Sequence, residues 1–125
     1  MPTRMKLQQL MIFVTDLTEA KQFYCELLGF GLAEETATRL TFDHDGCAFV
    51  AYLCEARIEV QNYSREARSV FVFEVESLDR QMTALREAGV TLLHDAPSTN
   101  DQGRYAAFAD PFGNVHEIWE PHLTS

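Results

Sequence analysis

The residues best equipped for chemistry lie near the end of the chain, in Val115-His116-Glu117-Ile118-Trp119-Glu120. A period of two along this run puts Glu117 on one strand face with Val115 and Trp119, and His116 on the other. A carboxylate beside an indole can accept hydrogen bonds, attract a cation or act as a general base. Gln9 opens another apolar run, Gln9 to Val14, and offers a neutral amide. Arg104, in Asp101-Gln102-Gly103-Arg104, would meet an anion from a loop ahead of Tyr105. The remaining titratable groups carry less. His44, His94, His116 and His122 read as surface or turn residues. Cys25, Cys47 and Cys54 are odd in number and lack metal-type spacing, so they read as free thiols in a reducing cytosol. There is no Gly-x-Ser-x-Gly, no phosphate-binding glycine loop and no Cys–His arrangement for nucleophilic catalysis.

The elements that must position these groups belong to a chain of 125 residues, the size of one ordinary domain. With 46% hydrophobic and 23% charged residues it has a soluble globular composition. Ten Lys and Arg against nineteen Asp and Glu give a net charge of −9. That balance argues against nucleic acid and anionic membranes and favours a cationic ligand. No apolar stretch approaches the ~20 residues that cross a bilayer. Basic residues at the N-terminus precede only a short apolar run, with Asp16 and Glu19 close behind, so no signal peptide is expected. A cytoplasmic protein with a small-molecule partner is the expectation.

The order of elements repeats. Gln9 to Val14 predicts a strand, and Thr18 to Leu28 a helix whose buried face carries Ala20, Phe23, Tyr24, Leu27 and Leu28. Val70 to Val75 predicts a second such strand, followed by a helix capped by Ser77 with a stripe of Leu78, Met82, Leu85 and Ala88. Gly29 and Gly89 close the two helices. Asp16 and Ser77 are 61 residues apart, Gly29 and Gly89 only 60. Strand pairs follow each helix: Arg39 to Phe42 with Ala48 to Leu53, turned by His44-Asp45-Gly46, and Tyr105 to Ala109 with Val115 to Glu120, turned by Asp110 to Asn114. Gly31 to Thr38 and Thr91 to His94 supply further strand candidates, and Glu55 to Arg68 is polar enough to be a crossover. One domain, 1–125, built from modules 7–60 and 68–121, is the predicted organisation.

Two segments carry a family resemblance. Val14-Thr15-Asp16-Leu17 with Phe23-Tyr24 and Leu27-Leu28-Gly29-Phe30 is one, and Phe108 to Ile118 is the other. Together they resemble the vicinal-oxygen-chelate superfamily of glyoxalases, bleomycin-resistance proteins and extradiol dioxygenases. The resemblance implies an α+β fold of two βαβββ modules whose curled mixed sheets form a concave pocket. In metal-using members, it also implies four ligands, two from each module. Gln9 and Glu117 occupy two of those positions here; the other two fall on Val70, which has no donor atom, and on Val50, or on Ala51 or Tyr52 if the loop lengths differ, none of them a usual metal ligand. No cofactor and no complete metal site are therefore expected, with a divalent metal as the alternative.

By the same analogy and by strand alternation, Gln9, Met11 and Phe13 face the pocket with Val50 and Tyr52, Val70 and Val72, and Glu117 and Trp119, and Arg104 stands at its mouth. Leu10, Ile12, Val14, Phe71, Phe73 and Ile118 face the helices. Three functions compete. The first is a metal-free, homodimeric binding protein that sequesters a drug or metabolite. The second is a divalent-metal-dependent lyase, isomerase or dioxygenase. The third is a metal-free enzyme with Glu117 as its catalytic base.

Overall fold

The structure is a computed structural model that describes residues 5, 7–43, 46–55 and 69–122. The turn expected at His44-Asp45 and nearly all of the expected crossover, 56–68, lie outside the described residues. The chain divides into two compact units, Met1–Arg57 and Ile58–Ser125. None of the described helices is long and apolar enough to cross a membrane.

The first unit runs β1 (Gln9–Val14), α1 (Leu17–Lys21), a π-helical segment (Gln22–Leu27), β2 (Gly31–Glu35), β3 (Arg39–Asp43) and β4 (Ala48–Leu53). Its sheet has the order β1-β4-β3-β2, with β1 parallel to β4 and the other pairs antiparallel. A parallel pair needs a long connection, which the helix and two strands provide. The second unit runs β5 (Phe71–Glu74), α2 (Leu78–Glu87), β6 (Thr91–Leu92), β7 (Ser98–Thr99), β8 (Gly103–Ala109) and β9 (Val115–Pro121). Here the order is β5-β9-β8-β6, β7 also pairs with β8, and β5 lies parallel to β9. Each unit is thus a mixed α+β module of the expected strand–helix–strands form.

Caps start both helices as their sequences require. The Asp16 carboxylate accepts the Glu19 N–H at 3.0 Å, and the Ser77 hydroxyl accepts that of Arg80 at 3.3 Å. Gly29 and Gly89 follow with φ of +86° and +81°, a left-handed turn that β-carbons oppose. Between cap and glycine the helices differ. In the first, the Leu28 N–H reaches back five residues to the Phe23 carbonyl and Phe30 reaches six to Tyr24; in the second, Ala88 reaches four to Ala84 and Val90 five to Leu85. The first helix holds one extra residue, which accounts for the spacings of 61 and 60, and it is absorbed as a π turn. This corrects the regular helix expected over Thr18 to Leu28. The wider turn rotates Leu27 out to 38% exposure, while Tyr24 stays fully buried. Ala88 is exposed, since the second buried stripe ends at Leu85.

The helix-facing sides form the cores. In the first unit Ile12, Val14, Leu40, Phe42, Phe49 and Ala51 are buried, with Phe42 and Phe49 ringing Tyr24 at centroid distances of 5.2 and 5.7 Å. In the second, Phe71, Phe73 and Phe108 surround the His116 imidazole at 5.7, 5.4 and 5.4 Å. His116 is 1% exposed, which corrects its surface or turn reading. Burial pushes its pKa down to about 4, since a charged imidazole would lose its hydration there.

Candidate functional site

The best-developed constellation is placed by one turn. The buried Asp110 carboxylate accepts the N–H groups of Phe112 (2.9 Å) and Asn114 (2.8 Å) and the Asn114 side-chain amide (2.7 Å). The Asp110 N–H in turn donates to the Asn114 carbonyl at 2.9 Å. This closed turn sets the register of the β8–β9 hairpin, so that Ala107 lies opposite Glu117 and Tyr105 opposite Trp119. On the other side of β9, Val72 aligns with Glu117 and Glu74 with Trp119. Paired residues share a sheet face, so Val72, Glu117 and Ala107 form one rung and Glu74, Trp119 and Tyr105 the next. This face turns away from α2, because the α2 side carries Glu120, whose carboxylate accepts the Leu78 N–H, together with Ile118 and His116. Glu117, Trp119 and Tyr105 are half-buried and Val72 is 52% exposed.

Two features hold the aromatic pair. Gly103, buried on β8, seats the indole: a β-carbon there would come within 2.8 Å of Trp119 Nε1 and 2.2 Å of the Glu120 carbonyl oxygen. His94 fills the break between β6 and β7, where its Nδ1 accepts the Ala107 N–H at 2.9 Å and its ring meets Tyr105 edge-on at 5.6 Å. An imidazole nitrogen thus takes the place of a strand carbonyl in the ladder.

The expected residues sort as follows. Glu117, Trp119 and Val72 share the helix-free face of the second unit, and Val70 lies just ahead of β5, half-buried. Arg104 does not join them. It lies within β8 on the α2 side, where its guanidinium forks onto Asp79 (3.1 and 3.3 Å) and reaches Glu120 at 3.2 Å. Those carboxylates hold its pKa up and fasten the helix start to the sheet, which corrects the placement of Arg104 at a pocket mouth. In the first unit Gln9, Met11 and Phe13 share the helix-free face with Val50 and Tyr52, through the pairs Met11–Val50 and Phe13–Tyr52. Val50 is 3% exposed on the central strand, whereas Met11 and Phe13 are 39% and 56% exposed at the edge. Cys25, Cys47 and Cys54 form no disulfide, and burial pushes the Cys25 pKa up. Among the described residues no three His, Cys, Asp or Glu side chains are grouped to hold a metal ion.

Tyr105, Glu74, Gly103 and His94 were missed as site residues. Tyr105 was legible in principle: counting outward from the five-residue turn on the two strands pairs it with Trp119. Glu74 needed the parallel β5–β9 register, and Gly103 and His94 needed tertiary contacts.

Comparison with known proteins agrees with this architecture. The family model for the Glyoxalase/Bleomycin resistance protein/Dioxygenase superfamily matches residues 6–118. No curated protein matches the chain. Among solved structures, the fosfomycin resistance protein FosX from Listeria monocytogenes superposes with a TM-score of 0.74 at 16% identity, covering 97% of each chain. TnmS3, an antibiotic binding protein from Streptomyces sp. CB03234, does so with a TM-score of 0.66 at 25% identity, over 98% of this chain and 100% of the other. A glyoxalase/bleomycin resistance protein/dioxygenase from Alicyclobacillus acidocaldarius gives 0.69 at 25% identity, over 94% and 92%. Repeated module, closing turn and matched length together show that the chain belongs to the glyoxalase/bleomycin resistance protein/dioxygenase superfamily.

Proposed function

We propose that this protein binds and sequesters a small organic molecule, a drug or a metabolite, without a complete divalent-metal site. The observation that carries this is the helix-free face of the second unit, where two carboxylates and two aromatic side chains stand on a strand ladder lined by Val72 and Ala107. A mostly apolar surface with a few placed polar groups is the usual make-up of a small-molecule site. The donor set supports a metal-free reading. Val50 and Val70 are hydrocarbon, which leaves Gln9 and Glu117 as two ligands, and two ligands hold a divalent ion poorly. TnmS3, which binds an antibiotic, has a similar fold along the whole chain. The same reading takes the protein as a homodimer, because Met11 and Phe13 leave apolar surface on the edge strand of the first unit.

The test is a thermal-shift panel of antibiotics and aromatic metabolites, run with and without chelator, beside elemental analysis of the purified protein. A ligand that raises the melting temperature equally in both conditions supports the proposal. About one metal per chain, lost in Glu117→Ala, would replace it with a metal-dependent lyase, isomerase or dioxygenase. Metal-free turnover of a bound compound, lost in Glu117→Gln, would replace it with an enzyme that uses Glu117 as base.

A further inference from the structure

The Trp119 indole is held by shape and not by a hydrogen bond. Its Nε1 is buried and has no acceptor among the described residues, although a buried N–H usually finds one. The nitrogen lies over Gly103 at the start of β8, where a β-carbon would come within 2.8 Å of it. We propose that Gly103 is the positioning residue of the candidate site: it takes the N–H edge of Trp119 inward over β8, so that ring carbon is what the indole offers a ligand. The proposal rests on the small-molecule reading above and gives it a ligand class, an aromatic body taken up by ring contact.

Gly103 has no room to become anything larger. The added carbon would also stand 2.2 Å from the Glu120 carbonyl oxygen and 3.0 Å from the Pro121 Cα, both backbone of β9. Its own backbone is fixed by the turn ahead of β8. The Asn100 side-chain oxygen accepts the N–H groups of Gln102 (2.9 Å) and Gly103 (3.1 Å), and the Asn100 N–H donates to the Gly103 carbonyl at 2.9 Å. The residue after β9 is tied to the same turn. The His122 N–H donates to the Gln102 carbonyl at 3.3 Å, and His122 Nε2 lies 3.0 Å from the Asn100 carbonyl. A side chain at position 103 would therefore press on a clamped hairpin end and on a ring. The hairpin end must open slightly, and the ring, whose nitrogen no described acceptor retains, must swing away. That swing exposes Nε1 and turns the polar edge of the indole toward the ligand.

Two neutral probes of one carbon skeleton test the ring contact: naphthalene-2-methanol and its decahydro analogue, titrated by calorimetry. The wild type is expected to bind the aromatic alcohol about fivefold tighter. Trp119 is the sole tryptophan of the chain, so its indole N–H gives one proton resonance whose exchange with solvent reports how well it is covered. Gly103→Ala should speed that exchange on the order of tenfold and bring the two alcohols to equal affinity. Asn100 is exposed, so Asn100→Ala carries the test if Gly103→Ala fails to fold; freeing the turn should speed exchange about threefold and reduce the preference. A merely structural role would move the denaturation midpoint alone. If exchange or preference stays as in the wild type, Gly103 does not act through Trp119 and the proposal falls. Equal binding of both alcohols by the wild type would overturn the ring contact and leave the small-molecule reading standing. Silence from both probes, with a hit in the thermal-shift panel, would place the ligand elsewhere and overturn the proposal. Silence in both experiments would overturn the binding reading itself.

Discussion

Acid should loosen the second unit through one residue. His116 is 1% exposed among Phe71, Phe73 and Phe108, and burial lowers its pKa from 6.5 to about 4. The unfolded chain therefore takes up a proton on His116 as pH falls through 6.5, while the folded chain resists until about 4. Protons bound preferentially to the unfolded state destabilise the fold, so this contribution is fully present above pH 6.5 and lost on the way down to 4. The full loss is worth about 3 kcal/mol, of which about 2 kcal/mol falls between pH 7 and pH 5. Urea denaturation followed by Trp119 emission reads this unit, because Trp119 lies on β9 with His116. Other titrating groups also respond to acid, so the measurement is a difference: wild type against His116→Phe, over the same pH range. Any packing cost of the larger ring is separable from titration, because a fixed cost shifts the whole curve and leaves its slope alone. Wild type should lose about 2 kcal/mol more than the variant between pH 7 and pH 5. Parallel curves would show that the imidazole charges in place and refute its burial in the aromatic cluster.

Three further outcomes are expected. Glu117→Gln keeps the shape of a half-buried side chain and removes its charge, so denaturation should show a stability change within ~1 kcal/mol while affinity for the ligand drops; a large loss of stability at unchanged affinity would make Glu117 part of the scaffold. Arg104→Ala should lower the denaturation midpoint slightly, with the loss shrinking at high salt, and should leave ligand affinity unchanged, because its partners Asp79 and Glu120 lie on the helix side. Light scattering at micromolar concentration should give twice the chain mass, with an interface of more than ~1,000 Å², and Phe13→Glu on the exposed edge strand should shift it toward monomer; a monomeric wild type would count against the dimer.

Much of the fold was legible because it is written in local terms. Caps at Asp16 and Ser77, glycines after each helix and alternation along Gln9 to Val14 are short-range signals, and the strand Ala48–Leu53 coincides with its sequence-based bounds. Even the π turn left a trace, as the one-residue difference between the cap and glycine spacings. Its position and effect did not, since they depend on Tyr24 staying among Phe30, Phe42 and Phe49 while Leu27 turns outward.

The candidate site divides along the same line. Alternation alone put Glu117 and Trp119 on one face and His116 on the other, because successive strand side chains must oppose. It was silent on what lies beyond each face. A histidine in an apolar strand is as compatible with solvent as with a ring of phenylalanines, and only the packing of β5 and β8 against β9 buries His116. Arg104 read as a loop residue free to meet an anion until β8 extended back to Gly103 and the start of α2 brought Asp79 to it. Sequence determined which residues can share a strand face; tertiary structure decided which neighbouring strands and helix complete that face, because those contacts join residues far apart in the chain.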